Sequence, residues 1–528
     1  MKKASITIFS ALSMMLIASL LFALLESARY YGLRLQTEQM STLVTESVFA
    51  EYNAKIWEDY HLLFLDGAYG GEEFATDKVE GTAFQLMHDN LNYDLTKEMQ
   101  PATTLLRVNE TQVKVERYQL ATDGGGDVFL NHVVDYMRQN IPQETAKAIY
   151  NRIQEGEDLE EKAQNSGTQI EKAQESLQEV TEEKDVVQLS RAGAASQEAA
   201  TEKAATEKDD TENDATEKDE TGKNETEKDE KESVLEFVLK LKQNAILGMV
   251  LPDVEAVSDK EITVEDVLMK RQCEQGTELE AVETDWYARI LYEMYLTTYF
   301  SNYTKTMENR ALDYELEYII CGKSSDRANL EGVVEQLMLA REAGNLASIM
   351  QDSAKVNEAL AMATLLAGAS ANPGVIKAVQ YGIIGAWAYL ESILDIRSLL
   401  AGEKIAMIKT KAEWTTNVGN IISSFNNSKK AKECVNGLTY QDYLMQFLFL
   451  EGQKKLSYRT MDVMEKNVNL EDNYKNVRMD HMLVSAQFAY EYDAETLFWK
   501  LVLLDDKKDF SYRFANTRKF SYQIGQGR

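Results

Sequence analysis

Residues 4–25 read ASITIFSALSMMLIASLLFALL, 22 consecutive positions without a charge, with Lys2 and Lys3 before them and Glu26 after. At a rise of 1.5 Å per residue such a helix is about 33 Å long, which matches the hydrocarbon core of a bilayer. The stretch therefore predicts a transmembrane helix. Lys2 and Lys3 favour a cytoplasmic N-terminus. Arg29 and Arg34 follow the span and blunt that bias, although large domains translocate largely regardless of local charge. The rival reading is a cleaved signal peptide, whose apolar region is about 7–15 residues and ends in a small-x-small site. Here the run is longer, and the first site beyond it would put Glu26 and Ala28 at the recognition positions, where an acid fits poorly. The reading is an anchor, residues 1–25, that stays attached to the cell membrane in a single pass and leaves the bulk of the chain extracytoplasmic.

Nothing stops the helix at the lipid boundary. Tyr30, Leu33, Thr37, Met40 and Val44 recur at three- and four-residue steps, and no proline lies between Glu26 and Asp66. Gly32 is the soft spot, and Leu65-Asp66-Gly67 is the expected end. The stripe is expected to pack on its own domain; the sharper alternative is pairing with another subunit's helix. Glu26 and Arg29 share one helix face at i,i+3 spacing and read as a simple interfacial pair. They are also the candidate assembly contact, since a partner's basic group would bind Glu26 strongly where the dielectric is low.

The remaining composition bounds the function. The 528 residues carry 87 acids against 56 Lys and Arg, a net charge of −31, which repels phosphate backbones and speaks against nucleic-acid binding. Hydrophobics at 44% and aromatics at 9% suffice for a core, and with four prolines long helices are favoured over sheet. Cys273, Cys321 and Cys434 have no metal-ligand spacing and read as three unpaired thiols, a single long-range bridge being the alternative. His61, His88, His132 and His481 form no metal-binding frame, so no metal or cofactor is expected. Gly322-Lys323-Ser324 resembles the end of a phosphate loop, but position 317 is Glu where the cradle needs Gly, so it reads as a helix stop followed by an N-cap at Ser324 or Ser325. No Gly-x-Ser-x-Gly elbow occurs. The acidic pairs Glu315 with Glu317 and Asp313 with Glu317 read as solvated faces or ion pairs in so acidic a chain, not as glycosidase carboxylates. No catalytic residue and no small-molecule substrate is assigned.

Four regions follow: the anchor over 1–25, a juxtamembrane helix and small α/β lobe over 26–150, a spacer over 151–232, and a mostly helical extracytoplasmic domain over 233–528. In the second, residues 107–120 read as a strand, Asp123 to Asp127 as a turn, and Val128 to Gln139 as a helix. The spacer opens with a weak coiled-coil heptad (Ile170, Ala173, Leu177, Val180, Val187). It continues in Thr-Glu-Lys units whose threonines stand five apart from Thr201 to Thr226. A period of five matches neither helix nor strand, and residues 196–232 carry 15 acids and six lysines, so a disordered acidic spacer is expected, letting the lobes separate. Beyond it, helical patterns run over Val234–Met249, Val282–Tyr318, Leu330–Ala343, Ser353–Leu366 and Val375–Leu400. The apolar stretches Leu360 to Gly374 and Ala378 to Leu390 are too short to span a membrane and read as buried core helices. Met482 to Tyr492 and Phe510 to Tyr522 read as strands that join the one near Val113 in a small antiparallel sheet. The fold class is mainly α, α+β.

Two regions resemble known families. The N-terminus, Ser5 to Phe9 through Leu25-Glu26-Ser27-Ala28-Arg29, resembles the anchor of the TadE/TadG-like pseudopilin group, in which an apolar span ends in an acid shortly before a basic residue. Ala311 to Ile320 with Gly322-Lys323-Ser324-Ser325, Val250-Leu251-Pro252-Asp253 and Gly437 to Leu444 resemble a domain-of-unknown-function family of Gram-positive, clostridial-type bacteria with the same sort of anchor. The chain departs from typical pilins, since no Gly precedes Gly32 and Glu26 lies at the far end of the span, so processing like a major pilin is not expected. The resemblance implies a non-enzymatic, extracytoplasmic accessory of a Tad/Flp-type pilus or related surface-assembly system, with pilus-assembly or surface proteins as partners. The alternatives are a structural or adhesive surface protein unrelated to pili, and a cell-envelope enzyme with an unrecognised carboxylate site.

Overall fold

A computed structural model describes residues 2–91, 105–151, 153, 234–277, 285–367, 372–498 and 510–522. The heptad over 170–187 and the Thr-Glu-Lys repeat lie outside the described residues.

Helix α1 runs unbroken over Lys2–Ala50 and is long and apolar enough to cross a membrane. Its two halves have different surroundings. Ile6, Phe9, Leu12, Met15, Leu20 and Leu24 are all exposed. From Glu26 onward one face is buried: Glu26, Leu33, Thr37, Ser41, Val44 and Val48 lie against the rest of the chain. The stripe is thus packed on its own domain, as the spacing predicted. The helix stops sooner than Asp66, however. Asn53 caps a new helix, α2 (Ala54–Tyr60), its side chain accepting from the Ile56 amide at 3.0 Å. The backbone N–H of Asn53 donates to Phe64 O, and Leu65–Asp66 becomes strand β1, hydrogen-bonded to the sheet. An Asn with strong capping geometry and a strand partner distant in sequence end the helix at Ala50 without any proline.

Helix α3 (Thr76–Leu91) follows, then strand β2 (Asn109–Leu120) and helix α4 (Asp123–Asn140). The entry to α4 is the expected glycine turn. Gly124, Gly125 and Gly126 all have φ between 65° and 94°, and the Asp123 carboxylate ties the turn by accepting from the Leu120 and Gly276 amides. The sheet is completed from the other end of the chain by β3 (Met482–Glu495) and β4 (Ser511–Ser521). All pairings are antiparallel, and β3 is central. It takes β2 on one edge over Leu120↔Leu483 to Asn109↔Asp493. Its other edge takes β4 over Ser485↔Ser521 to Glu495↔Ser511, with β1 continuing that edge at Leu65↔Leu483. The aromatic, partly alternating stretches at the C-terminus are therefore strands, as read.

Helix α1 lies along one face of this sheet, antiparallel to β3. The Tyr30 ring meets Tyr512 and Phe514, the Ser41 and Thr45 hydroxyls meet the Tyr492 and Tyr490 hydroxyls at 2.9 and 2.7 Å, and Phe49 stacks on Phe520 with centroids 4.6 Å apart. Leu33, Val44, Val48, Val79, Ala83, Val113, Phe488, Tyr490 and Tyr492 form the core between the helix pair α1/α3 and the sheet.

A second, larger core holds the helical body. It contains α5 (Val234–Leu241), α6 (Ile246–Val250), α7 (Trp286–Tyr299), α8 (Glu315–Cys321), α9 (Asp326–Gln351), α10 (Ser353–Ala367), α11 (Pro373–Leu400), α12 (Ile421–Asn427), α13 (Tyr440–Leu450) and α14 (Gln453–Val468). Two helices expected to be continuous are broken. Val234–Met249 divides at Lys242–Asn244, where Ala245 turns extended. Val282–Tyr318 divides after Tyr299, because the Glu315 carboxylate accepts from both the backbone N–H and the hydroxyl of Ser301 and closes a loop. The Lys305 ammonium donates to the Thr297 and Thr298 carbonyls at the end of α7, where a cation complements the helix dipole. The reading of Gly322 to Ser325 holds: Gly322 ends α8 at φ 68°, and the Ser325 hydroxyl caps α9 by accepting from Ala328 N. Helix α11 is buried from Ala378 to Ile396 except at the half-buried Tyr381, so the Ala378 to Leu390 stretch is a core helix. The regions 26–150 and 233–528 are not separate lobes: Tyr60, Phe64 and Phe129 share one core with Tyr292 and Tyr295, and β3 lies between β1, β2 and β4.

Between α9 and α11 the core is charged. Arg341 donates to Asp395 at 2.8 Å, to Met407 O and to the Tyr443 hydroxyl. Lys409 bridges Asp395 at 2.5 Å and Glu391, and Glu391 also accepts from the Thr415 and Thr416 amides and the Thr416 hydroxyl. All four charged side chains are fully buried. Burial alone would raise the Asp395 pKa, but Arg341 and Lys409 outweigh it and hold the carboxyl below the usual range. Removing one partner strands the others in a dry interior. Lys409→Met should lower the unfolding free energy by about 3–5 kcal/mol in denaturant titration. Lys430→Met, which breaks the exposed 3.2 Å pair with Glu403, should change it by about 0–1 kcal/mol.

Candidate functional site

The point where α1 leaves its apolar span is also where the sheet meets it. Glu26 and Arg29, one helical turn apart, form the expected i,i+3 pair at 3.0 Å, and both are buried. The pair does more than neutralise itself. The Arg29 guanidinium donates to Leu105 O at 2.5 Å and to Glu495 O at 2.7 Å, just before β2 and at the end of β3. The second Glu26 carboxylate oxygen accepts from the Leu497 and Phe498 amides at 3.2 and 2.6 Å. A buried charge is costly unless paired and hydrogen-bonded. Here each charge has its opposite plus backbone partners, and the backbone groups at that end of the sheet gain partners in turn. The contacts of Glu26 and Arg29 are thus made within the chain: the candidate assembly contact is an internal clamp joining α1 to the sheet. The spacing of Glu26 and Arg29 was legible in the sequence. Their partners, all backbone atoms on segments 76 to 472 residues away, carry no side-chain signature.

The acids considered as catalytic candidates sit elsewhere. Contrary to the expectation of solvated faces, Glu315 and Glu317 are fully buried in α8. Glu315 accepts from Asn467 and Ser301 with Arg310 at 3.8 Å, while Glu317 accepts from the Tyr303 amide and the Tyr440 hydroxyl. They occupy the side of α8 that packs on its neighbours, which an alternating Glu-x-Glu in an acidic chain does not reveal. Asp313 is partly exposed and pairs with Lys260 at 2.7 Å. Burial pushes Glu317 up to about 7, Asp462 on α14 to about 7, and Glu293 on α7 to about 8, the last despite Arg289 at 3.0 Å. None of the three lines the cavities of about 530, 350 and 300 Å³ described next.

The largest of these is bounded by Gly248 to Pro252, Tyr303, Arg397, Leu400, Ala401, Lys429 and Lys430. The others lie beside α13 and beside the β1 turn. His132 is buried against Phe64, with Nε2 accepting from the Leu63 amide, and burial lowers it to about 4, so its ring is neutral. Cys273, Cys321 and Cys434 are free thiols, and burial raises all three. Among the described residues no group of three or more His, Cys, Asp or Glu side chains is placed to hold a metal ion.

One family model matches the chain, over residues 224–494; it is described as a family of unknown function, DUF5702. The match takes in the helical body and β3, while α1, β2 and β4 lie outside it. No curated protein and no solved structure matches.

Two outcomes follow from this geometry. Arg29→Met leaves the Glu26 carboxylate without its counterion and removes the guanidinium from Leu105 O and Glu495 O. Hydrogen exchange at the Leu497 and Phe498 amides should then speed up by about 10- to 100-fold, with exchange in α9 and α11 unchanged. The raised acids set a pH dependence. Their folded pKa values exceed those of the unfolded chain, so the folded state holds the extra protons. The stability they contribute is complete below the unfolded value and is lost as pH rises through the folded one. Neutral buried His132 works in the opposite sense below about pH 6.5. In denaturation of the detergent-solubilised chain, stability should fall from about pH 6.5 to about pH 8, and Glu317→Gln together with Asp462→Asn should flatten that fall.

Proposed function

The chain belongs to DUF5702, a family of unknown function, and on that premise we propose that it is a membrane-anchored, extracytoplasmic accessory of a Tad/Flp-type pilus or related surface-assembly system, acting without catalysis. One observation carries the reading. Helix α1 passes without a break from an apolar half with no fully buried residue to a half buried lengthwise on an antiparallel sheet. Such a helix couples whatever it touches in the membrane to a rigid body outside it. The TadE/TadG-like pattern of an apolar span ending in Glu26 and Arg29 supports the assignment to pilus machinery, and Lys2 with Lys3 supports a cytoplasmic N-terminus. Among the described residues, Glu317 and Asp462 bind neighbouring segments together, Glu293 pairs with Arg289 on its own helix, and none of the three lines the cavities described above, which supports a scaffold over an enzyme.

The partners are other proteins of the assembly, met within the membrane by the exposed half of α1 and outside it by the helical body. Cross-linking in intact cells followed by purification in mild detergent tests this. Pilus-assembly proteins should be recovered with the chain, and deletion of its gene should impair pilus assembly and adhesion. Recovery without any such protein, together with normal pili in the deletion strain, would contradict it and favour an adhesive or structural surface protein instead.

A further inference from the structure

The end of the sheet reaches further along the apolar run of α1 than Glu26 does. Phe498, just past the end of β3, stacks on Phe22 with ring centroids 6.0 Å apart and planes 15° apart. Phe22 belongs to the apolar run and lies four residues before Glu26, about 6 Å deeper along the helix axis. If α1 spans a bilayer, the Phe498 ring stands at the depth of a residue inside the span.

Among the described residues, those around that ring are apolar and partly exposed. Leu105 and Leu106 precede β2, Leu497 follows β3, and Phe510 precedes β4; each keeps 40–44% of its surface exposed. All four gather at one end of the sheet. Leu105 O receives Arg29, the Leu497 amide donates to Glu26, and Thr496 donates from both its amide and its hydroxyl to Phe510 O. Leu106 packs over Gly32, where an added Cβ would meet its methyl at 3.0 Å. Tyr30 and Tyr31 flank the same turn of α1, the position aromatic side chains favour at a membrane surface.

The backbone at this rim is prepared for a medium without water. The open end of a sheet cannot enter lipid with unpaired N–H and C=O groups. Here the Leu497 and Phe498 amides are taken by Glu26, and the Leu105 and Glu495 carbonyls by Arg29. In a water-exposed hinge those groups would be solvated without help, and burying two charges to pair them would bring little.

We propose that the rim formed by Leu105, Leu106, Leu497, Phe498 and Phe510 is a second membrane contact, seated in the headgroup and upper acyl layer of the leaflet around α1. The extracytoplasmic body then stands on the bilayer at a fixed tilt instead of swinging on a stalk. The occupant is lipid and not protein, because the rim is continuous with the apolar span through the Phe22–Phe498 stack. The inference rests on α1 crossing the membrane, and its test separates the two.

The full chain, with Cys273, Cys321 and Cys434 replaced by serine, is labelled with a nitroxide at one introduced cysteine and placed in phosphatidylcholine and phosphatidylglycerol vesicles. Collision with oxygen, which partitions into lipid, is compared with collision with a water-soluble nickel chelate. Ile17→Cys reports the span. Leu470→Cys reports the far end of the body, beside the Lys55–Glu471 ion pair. Leu105→Cys, Leu497→Cys and Phe510→Cys report the rim, all at exposed positions that tolerate a label. Rim labels should favour oxygen over nickel several-fold more than the Leu470→Cys label, in the same sense as Ile17→Cys. Rim labels as water-accessible as Leu470→Cys, with Ile17→Cys in lipid, would overturn the rim contact and leave the anchor standing. Water access at Ile17→Cys would overturn both.

Discussion

A pair of opposite charges buried where a helix leaves its apolar span is the constraint on which the rest of this architecture depends. Glu26 and Arg29 cannot be left unmatched in a poorly hydrated site, and the chain matches them with four backbone groups from the ends of β2 and β3 as well as with each other. That clamp sets the register of α1 on the sheet. Once Glu26 sits at Leu497, the 3.6-residue repeat of the helix carries Tyr30 to Tyr512, Ser41 to Tyr492, Thr45 to Tyr490 and Phe49 to Phe520. A slip of one residue would turn Leu33, Val44 and Val48 off the sheet and bring charged positions onto it.

The sheet transmits that placement to the helical body. Its central strand, β3, follows α14 after residues 469–481, and Arg271, from the segment before α7, holds Glu465 on α14 and Asp480 just before β3. Within the body the buried charges serve the same end as at the clamp. Arg341, Asp395, Lys409 and Glu391 tie α9 and α11 to the loop that follows α11, with nearly every polar atom occupied. The family match over 224–494 includes β3 but none of its three strand neighbours, so the matched region by itself presents a central strand with both edges unpaired. The segments around it complete the sheet and join it to the long apolar helix α1.

Much of this was legible in the sequence because it depends on local periodicity. The apolar run over 4–25, the 3–4 spacing from Tyr30 to Val44, the glycines at 124–126 and the Gly322–Ser325 stop and cap each act within a few residues, and the structure shows a long apolar helix, a packed stripe, a turn and a cap at those places. What escaped depends on distant partners. Helix α1 ends at Ala50 because Leu65 pairs with Leu483, and the aromatic run before Tyr318 breaks because Glu315 reaches back to Ser301. Glu315 and Glu317 looked like surface acids because a buried carboxylate is distinguished by its neighbours, here Asn467 and Tyr440, and not by its own spacing. For Glu26 and Arg29 the residues were identified and the partners were not, since main-chain amides and carbonyls look alike everywhere in a sequence.

The central claim is that α1 remains one continuous covalent rod from lipid to sheet. The intact mass and N-terminal sequence of the protein isolated from its host, after the membranes are washed with alkaline carbonate, test it most directly. The account predicts that residues 4–25 are present in the mature chain and that the protein stays in the washed membranes. A mature protein that begins beyond Arg29 and appears in the wash would contradict it, since the clamp would then have lost both of its charges.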